Sequence, residues 1–205
     1  GVAQAWLILE LTDSGTYLGI VTSLQFAPIL FFSISGGKIA DKFNKRKVLM
    51  LTNLTAGISA LSVATLVLTE NIKIWHVMFF AFMLGMGNAI DAPVRQSFNV
   101  EVVGKQDLPN AVGLNSTNFN VGRLIGPGLS GLLIAAYGTG VSFLFNGISY
   151  LFVILALISI RENELFIEPK KSSSTKIREA MEYVAARPDI LAVMITVFFA
   201  TSCIT

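Results

Sequence analysis

Few charged residues fall inside or beside the long apolar runs of this sequence, and each needs a reason to be there. Arg123 sits in the middle of one run, Asp91 at the end of another, and Glu10 and Asp13 flank a third. If those runs cross a bilayer, a bare charge at depth costs about 2.5–3.5 kcal/mol on insertion scales, so it must be paired, hydrated or used. Three roles are open to Arg123: binding an anionic group of a substrate, neutralising a carboxylate outside this stretch of chain, or donating to backbone carbonyls that Pro127 leaves without an N–H partner. Asn115 and Asn118, one to two turns earlier, are candidate hydrogen bonders lining a cavity. Glu10 is either a proton carrier or a solvated outer residue. His76 is the sole histidine and Cys203 the sole cysteine, so no disulfide and no His/Cys metal cluster can be assembled, and no cofactor is expected. Glycine loops for phosphate and Ser-His-Asp sets are also missing from any plausible soluble context, which argues against ATP-driven transport and nucleophilic catalysis.

The elements that must position these groups are membrane helices. Of 205 residues 53% are hydrophobic and 14% charged, with a mean hydropathy of +0.67, where a soluble domain carries about a quarter charged. A spanning helix needs about 20 apolar residues. Five such spans are predicted, at 17–40, 48–68, 74–90, 108–137 and 141–160. A run at 2–11 reads as the outer end of a first helix cut short, and one at 190–205 as the start of a seventh. The expected division is a transmembrane bundle over 1–160, a polar linker with a short amphipathic helix over 161–189, and the seventh helix from 190. In that linker Ile177, Ala180, Met181 and Val184 recur at i, i+3, i+4 and i+7, an apolar stripe opposite Lys176, Arg178, Glu179 and Glu182. The loops at 41–47, 94–107 and 161–189 hold twelve basic residues against one, Lys73, in the turns on the other side. By the positive-inside rule the basic loops, the N-terminus and the linker are cytoplasmic, in a multi-pass protein of the cell (inner) membrane. The net charge of +2 and the placement of its cations beside apolar runs make the bilayer the partner, and not nucleic acid.

Two motifs carry more specific chemistry. Between the second and third helices stand Gly36, Gly37, Asp41, Lys42, Asn44, Lys45, Arg46 and Lys47. Gly37 would admit another helix close to the end of helix two, and Asp41 at the membrane boundary needs a cationic or helix-dipole partner. In helix five Gly113, Gly122, Gly126, Pro127, Ser130 and Gly131 follow in sequence; Gly122, Gly126 and Ser130 stand four apart and make a smooth stripe for a neighbouring helix. The first motif resembles the loop signature of the major facilitator superfamily, and the second its antiporter motif. The loop departs from the family in Asn44 where glycine is usual and Lys45 where arginine is usual, which loses bidentate pairing at that position. Asn44 tolerates the left-handed backbone a glycine would supply. The resemblance implies a conformational latch of Gly37, Asp41, Lys42, Lys45, Arg46 and Asp91, with a charge relay from Asp41 through Lys45 to Asp91, and an antiporter-type set of Gly113, Gly122, Gly126, Pro127 and Gly131.

Within that superfamily, Asp91-Ala92-Pro93, Asn110-Ala111, Gly126-Pro127 and the 179–184 segment are similar to the enterobactin-exporter-like branch, which includes macrolide-efflux relatives. The fold implied is all-α, the six-helix first half of a twelve-helix transporter whose second half lies outside this chain. The activity implied is proton-coupled export of a small drug, macrolide or siderophore by alternating access. An importer of a small solute and a non-transporting sensor or assembly subunit are the alternatives. A membrane-embedded enzyme is disfavoured, because one histidine and scattered carboxylates do not converge at one depth.

Overall fold

The computed structural model describes residues 1–161, 165 and 166, and the described residues are helical almost throughout. The helices are α1 (Val2–Thr12), α2 (Gly15–Lys42), α3 (Lys45–Leu68), α4 (Ile74–Val103) and α5 (Leu108–Ser159). The amphipathic stripe at 177–184, the seventh span and Cys203 lie outside the described residues.

The helices from α2 to α5 each contain a stretch long and apolar enough to cross a membrane, whereas α1 is shorter. Their outward faces carry large apolar side chains with nothing over them: Leu124 is 83% exposed, Leu30 78% and Phe31 76%. Water would penalise such a surface heavily, whereas hydrocarbon or another apolar helix accepts it, and the helices satisfy their own backbone polar groups. The chain is a polytopic bundle turned apolar side out.

A straight helix of the 52 residues of α5 would run roughly 78 Å, more than twice the ~30 Å hydrocarbon core. Gly138 breaks it, with φ 82° and ψ 172°, a backbone state that only glycine enters freely. The first arm of α5 precedes that break and the second follows it. Side chains along the first arm are almost all exposed, whereas the second arm buries Thr139, Ser142, Gly147 and Leu157 against the rest of the bundle.

Two apolar clusters hold the bundle at its opposite ends. Leu7, Ile8, Val21, Val63, Val77 and Ala81 join α1 to α4 at one end. Ala40, Leu49, Val94, Phe98 and Leu157 join α2, α3, α4 and α5 at the other, where the basic residues cluster.

The expected loop at 94–107 is largely helix. α4 runs through Pro93 to Val103 and leaves only four residues before α5. The reason is burial: Val94 and Phe98, one turn apart, are 0% and 4% exposed in the second cluster, and a helix that packs outlasts a single proline. Arg95 is therefore a helix residue, not a loop cation.

Candidate functional site

The end of the bundle holding the basic loop is built from the termini of three helices. α2 stops at Lys42, and Asn44 starts α3, its side-chain oxygen accepting the Lys47 N–H at 3.2 Å. Asn44 has φ −66° and ψ 114°, so it acts as an ordinary N-cap, with no left-handed backbone at the position where the family carries glycine. Lys45 turns inward and pairs with Glu101 on the last turn of α4, both side chains being less than a fifth exposed. Arg46 donates from Nε to the Leu157 carbonyl and from Nη2 to that of Ile158, each at 2.7 Å. Those carbonyls belong to the last turn of α5 and have no helical partner of their own.

Asp91 lies on α4 with its carboxylate between two helices. Arg95, one turn on, donates Nε to Oδ2 at 2.8 Å and Nη2 to Oδ1 at 3.1 Å. Thr52 Oγ1 and Asn53 Nδ2 of α3 donate to Oδ1 at 2.7 and 3.2 Å. Four donors on one carboxylate, two from a planar guanidinium, hold the anion in place. The cluster opens onto a cavity of about 150 Å³ lined also by Asn88 and Tyr150.

Among the described residues the three members of the relay that the resemblance implies stand in separate contacts. Lys45 is engaged by Glu101, Asp91 by Arg95, Thr52 and Asn53, and Asp41 is exposed with no hydrogen bond or ion pair among the described residues. Lysine at position 45 makes a point-charge pair with the acid nearest to it, while the carboxylate at 91 already has a bidentate arginine on its own helix.

Within the described residues the close helix approach falls on Gly36. A Cβ on Gly37 would meet nothing within 4 Å, whereas one on Gly36 would press into the Ala89 carbonyl and the ring of Pro93. Gly85 answers from α4, where a Cβ would press into the Gln25 carbonyl and Pro28. Each helix thus sets a glycine against the proline ring of the other.

The helix-five motif lies on the first arm of α5. A Cβ on Gly113, Gly122, Gly126 or Gly131 would meet nothing within 4 Å, so no described helix lies on that stripe. Gly126 and Pro127 edge a broad open groove of about 730 Å³ shared with Gln4, Leu84, Asn146 and Ser149. Arg123, Asn115 and Asn118 are exposed and are not brought together with Asp91 or Glu10. Glu10 stays at the opposite end of the bundle, accepting from Trp6 Nε1 at 3.1 Å and from Thr139 Oγ1 at 3.3 Å beside the Gly138 break. His76 accepts the Lys73 N–H on Nδ1 at 3.1 Å, capping its own helix.

Sequence reasoning missed Glu101, Thr52, Asn53 and Gly85, and the roles of Gly36 and Arg95. The Asp91/Arg95 spacing of four was a legible signal for a helical ion pair. Glu101 offered none, being 56 residues from Lys45.

Membrane-length helices with glycine contacts inside and bare apolar faces outside define a polytopic helical membrane protein. The chain belongs to the transmembrane secretion effector family of the major facilitator superfamily, whose model matches residues 1–205. It is 28% identical to the staphyloferrin A transporter of Staphylococcus aureus over 87% of the chain and 45% of that protein. It is 29% identical to the multidrug efflux pump Tap of Mycolicibacterium fortuitum over 67% of the chain and 35% of the pump, and 20% identical to the enterobactin exporter EntS of Salmonella typhi over 92% and 45%. The chain spans less than half the length of these relatives. No solved structure matches it.

Proposed function

We propose that the full-length protein is a secondary active exporter that moves a small organic molecule of drug, macrolide or siderophore type outward in exchange for protons, and that this chain is its first half. The observation that carries the reading is the family match along all 205 residues, with relatives named as an enterobactin exporter and a multidrug efflux pump. Alternating access requires a second half rocking against the first about a midplane site. Two bare faces suit that partner: the outward side of α2, with Leu30 and Phe31, and the glycine stripe of α5's first arm.

In this reading the basic loop faces the cytoplasm and the latch is divided. Lys45, Arg46 and Asp91 brace the first half, while Gly37, Asp41 and Lys42 meet the second. Gly113, Gly122, Gly126, Pro127 and Gly131 give the second half a smooth track. Arg123, Asn115 and Asn118 lie along the substrate path, where Arg123 meets an anionic substrate group or a carboxylate of the second half. Protonation of an interface carboxylate, Glu10 among the candidates, supplies the difference in affinity between the two states.

Everted membrane vesicles carrying the full-length protein, energised to an acidic interior, test this reading. They should accumulate a fluorescent drug or a siderophore and lose it when nigericin collapses the pH gradient. Accumulation indifferent to the gradient would remove proton coupling, and flux in the opposite sense would make the protein an importer.

A further inference from the structure

We propose that the last turn of α4 is the anchor from which the chain leaves the bundle after α5, with Glu101 as its positioning residue. α4 ends at Val103, so the Glu101 carbonyl is one of the four at its C-terminus that no helical N–H can reach. Phe166, beyond the end of α5, donates its backbone N–H to that carbonyl at 2.7 Å. The side chain of the same glutamate is held by Lys45 from the start of α3. One residue therefore fixes two segments, the α2–α3 loop through its carboxylate and the outgoing chain through its carbonyl.

The neighbouring glycine makes room for the contact. Gly104 caps α4 with φ 73° and ψ 173°, and a Cβ there would lie 3.3 Å from Cγ of Phe166. The ring of Phe166 thus has one face on bare backbone, a seat a larger residue would deny it both by its bulk and by the positive φ. Leu165 adds an apolar hold, packing on the cluster of Ala40, Leu49, Val94, Phe98 and Leu157. Arg46 ties the last turn of α5 to the same corner through the Leu157 and Ile158 carbonyls. The C-termini of α4 and α5 are both closed by groups from elsewhere in the chain, and the outgoing segment is held at the point where they meet. The proposal is independent of what the protein transports.

The test uses the full-length protein in detergent, where both faces are accessible. In the wild type the Phe166 amide should exchange with deuterium more slowly than the intrinsic rate of an unprotected amide. Tryptic cleavage after Lys170 and Lys171 should rise about fivefold in Glu101→Lys, the factor expected for losing one coupled contact, and rise in Phe166→Ala as well. The charge swap Lys45→Glu/Glu101→Lys should restore cleavage to near the wild-type rate. A Phe166 amide exchanging at the unprotected rate would overturn the anchor, with no variant needed. Unchanged cleavage in both single variants, or a swap that fails to restore it, would equally overturn the role given to Glu101.

Discussion

The glycines of the α2/α4 crossing and those of the first arm of α5 are the same residue type in the same kind of apolar helix, yet they are used in opposite ways. Gly36 and Gly85 are buried, and a single added carbon would strike backbone carbonyls of the facing helix. A Cβ added at Gly113, Gly122, Gly126 or Gly131 would meet nothing within 4 Å among the described residues. Glycine spacing marks a surface where a helix can lie close, but does not say which helix, or whether it comes from the same half. In hydrocarbon no water drives helices together, so close contact between small residues is a main source of association. The packed glycines join α2 to α4, and the others carry no described helix.

Substitutions along the two sets sharpen that contrast. Gly85→Leu should be the most damaging, since the side chain must displace the Gln25 carbonyl and Pro28. Overpacking typically costs ~1–3 kcal/mol and more where backbone must move, so folded protein in the membrane, read by fluorescence-detected size exclusion, should fall to a small fraction of wild type. Gly36→Ala should lower the melting temperature less, because Pro93 and the Ala89 carbonyl face a single methyl group. Normal yield and melting for both would dissolve the distinction.

The Asp91 cluster comes next. Removing Arg95 with Arg95→Met leaves a carboxylate with Thr52 and Asn53 as its remaining donors. Breaking a buried pair costs about 3–5 kcal/mol, but Arg95 is 43% exposed, so solvent screening reduces the effect to about 1–2 kcal/mol. The double variant Arg95→Met/Asp91→Asn should melt above Arg95→Met alone, and a lower melting point would show that the carboxylate is held by α3 without its arginine.

Gly126→Val, at a position where an added Cβ would meet nothing within 4 Å, should leave folding within ~0.5 kcal/mol while lowering transport by the full-length protein. Equal loss of folded protein and of transport would place Gly126 with Gly85. Asp41→Asn should be the mildest for stability, with membrane levels unchanged and transport reduced; undiminished transport would remove Asp41 from the latch.

Much of the architecture was legible because a bilayer imposes a length and a composition on every crossing. The apolar runs, the basic side and the family signature could be read one segment at a time. The site was less legible, because its bonds join positions far apart. Asp91 announced that it needed a partner, and the arginine four residues on was available to find. Lys45 with Glu101, and Arg46 with the carbonyls at 157 and 158, join residues 56 and 111 or 112 apart, and no local pattern specifies them. In sequence the segment 94–103 reads as loop, because Pro93 and polar residues outweigh Val94 and Phe98, whose burial holds it helical.

By itself the sequence determined that this chain lies in a membrane as a helical bundle, which face of it is basic, and which family it resembles, since hydropathy and charge act residue by residue against a fixed solvent. The tertiary structure alone decided that Lys45 would meet Glu101 and which glycines would be covered. Those outcomes depend on how helices cross: of two adjacent glycines on α2, only Gly36 lies where a Cβ would strike α4.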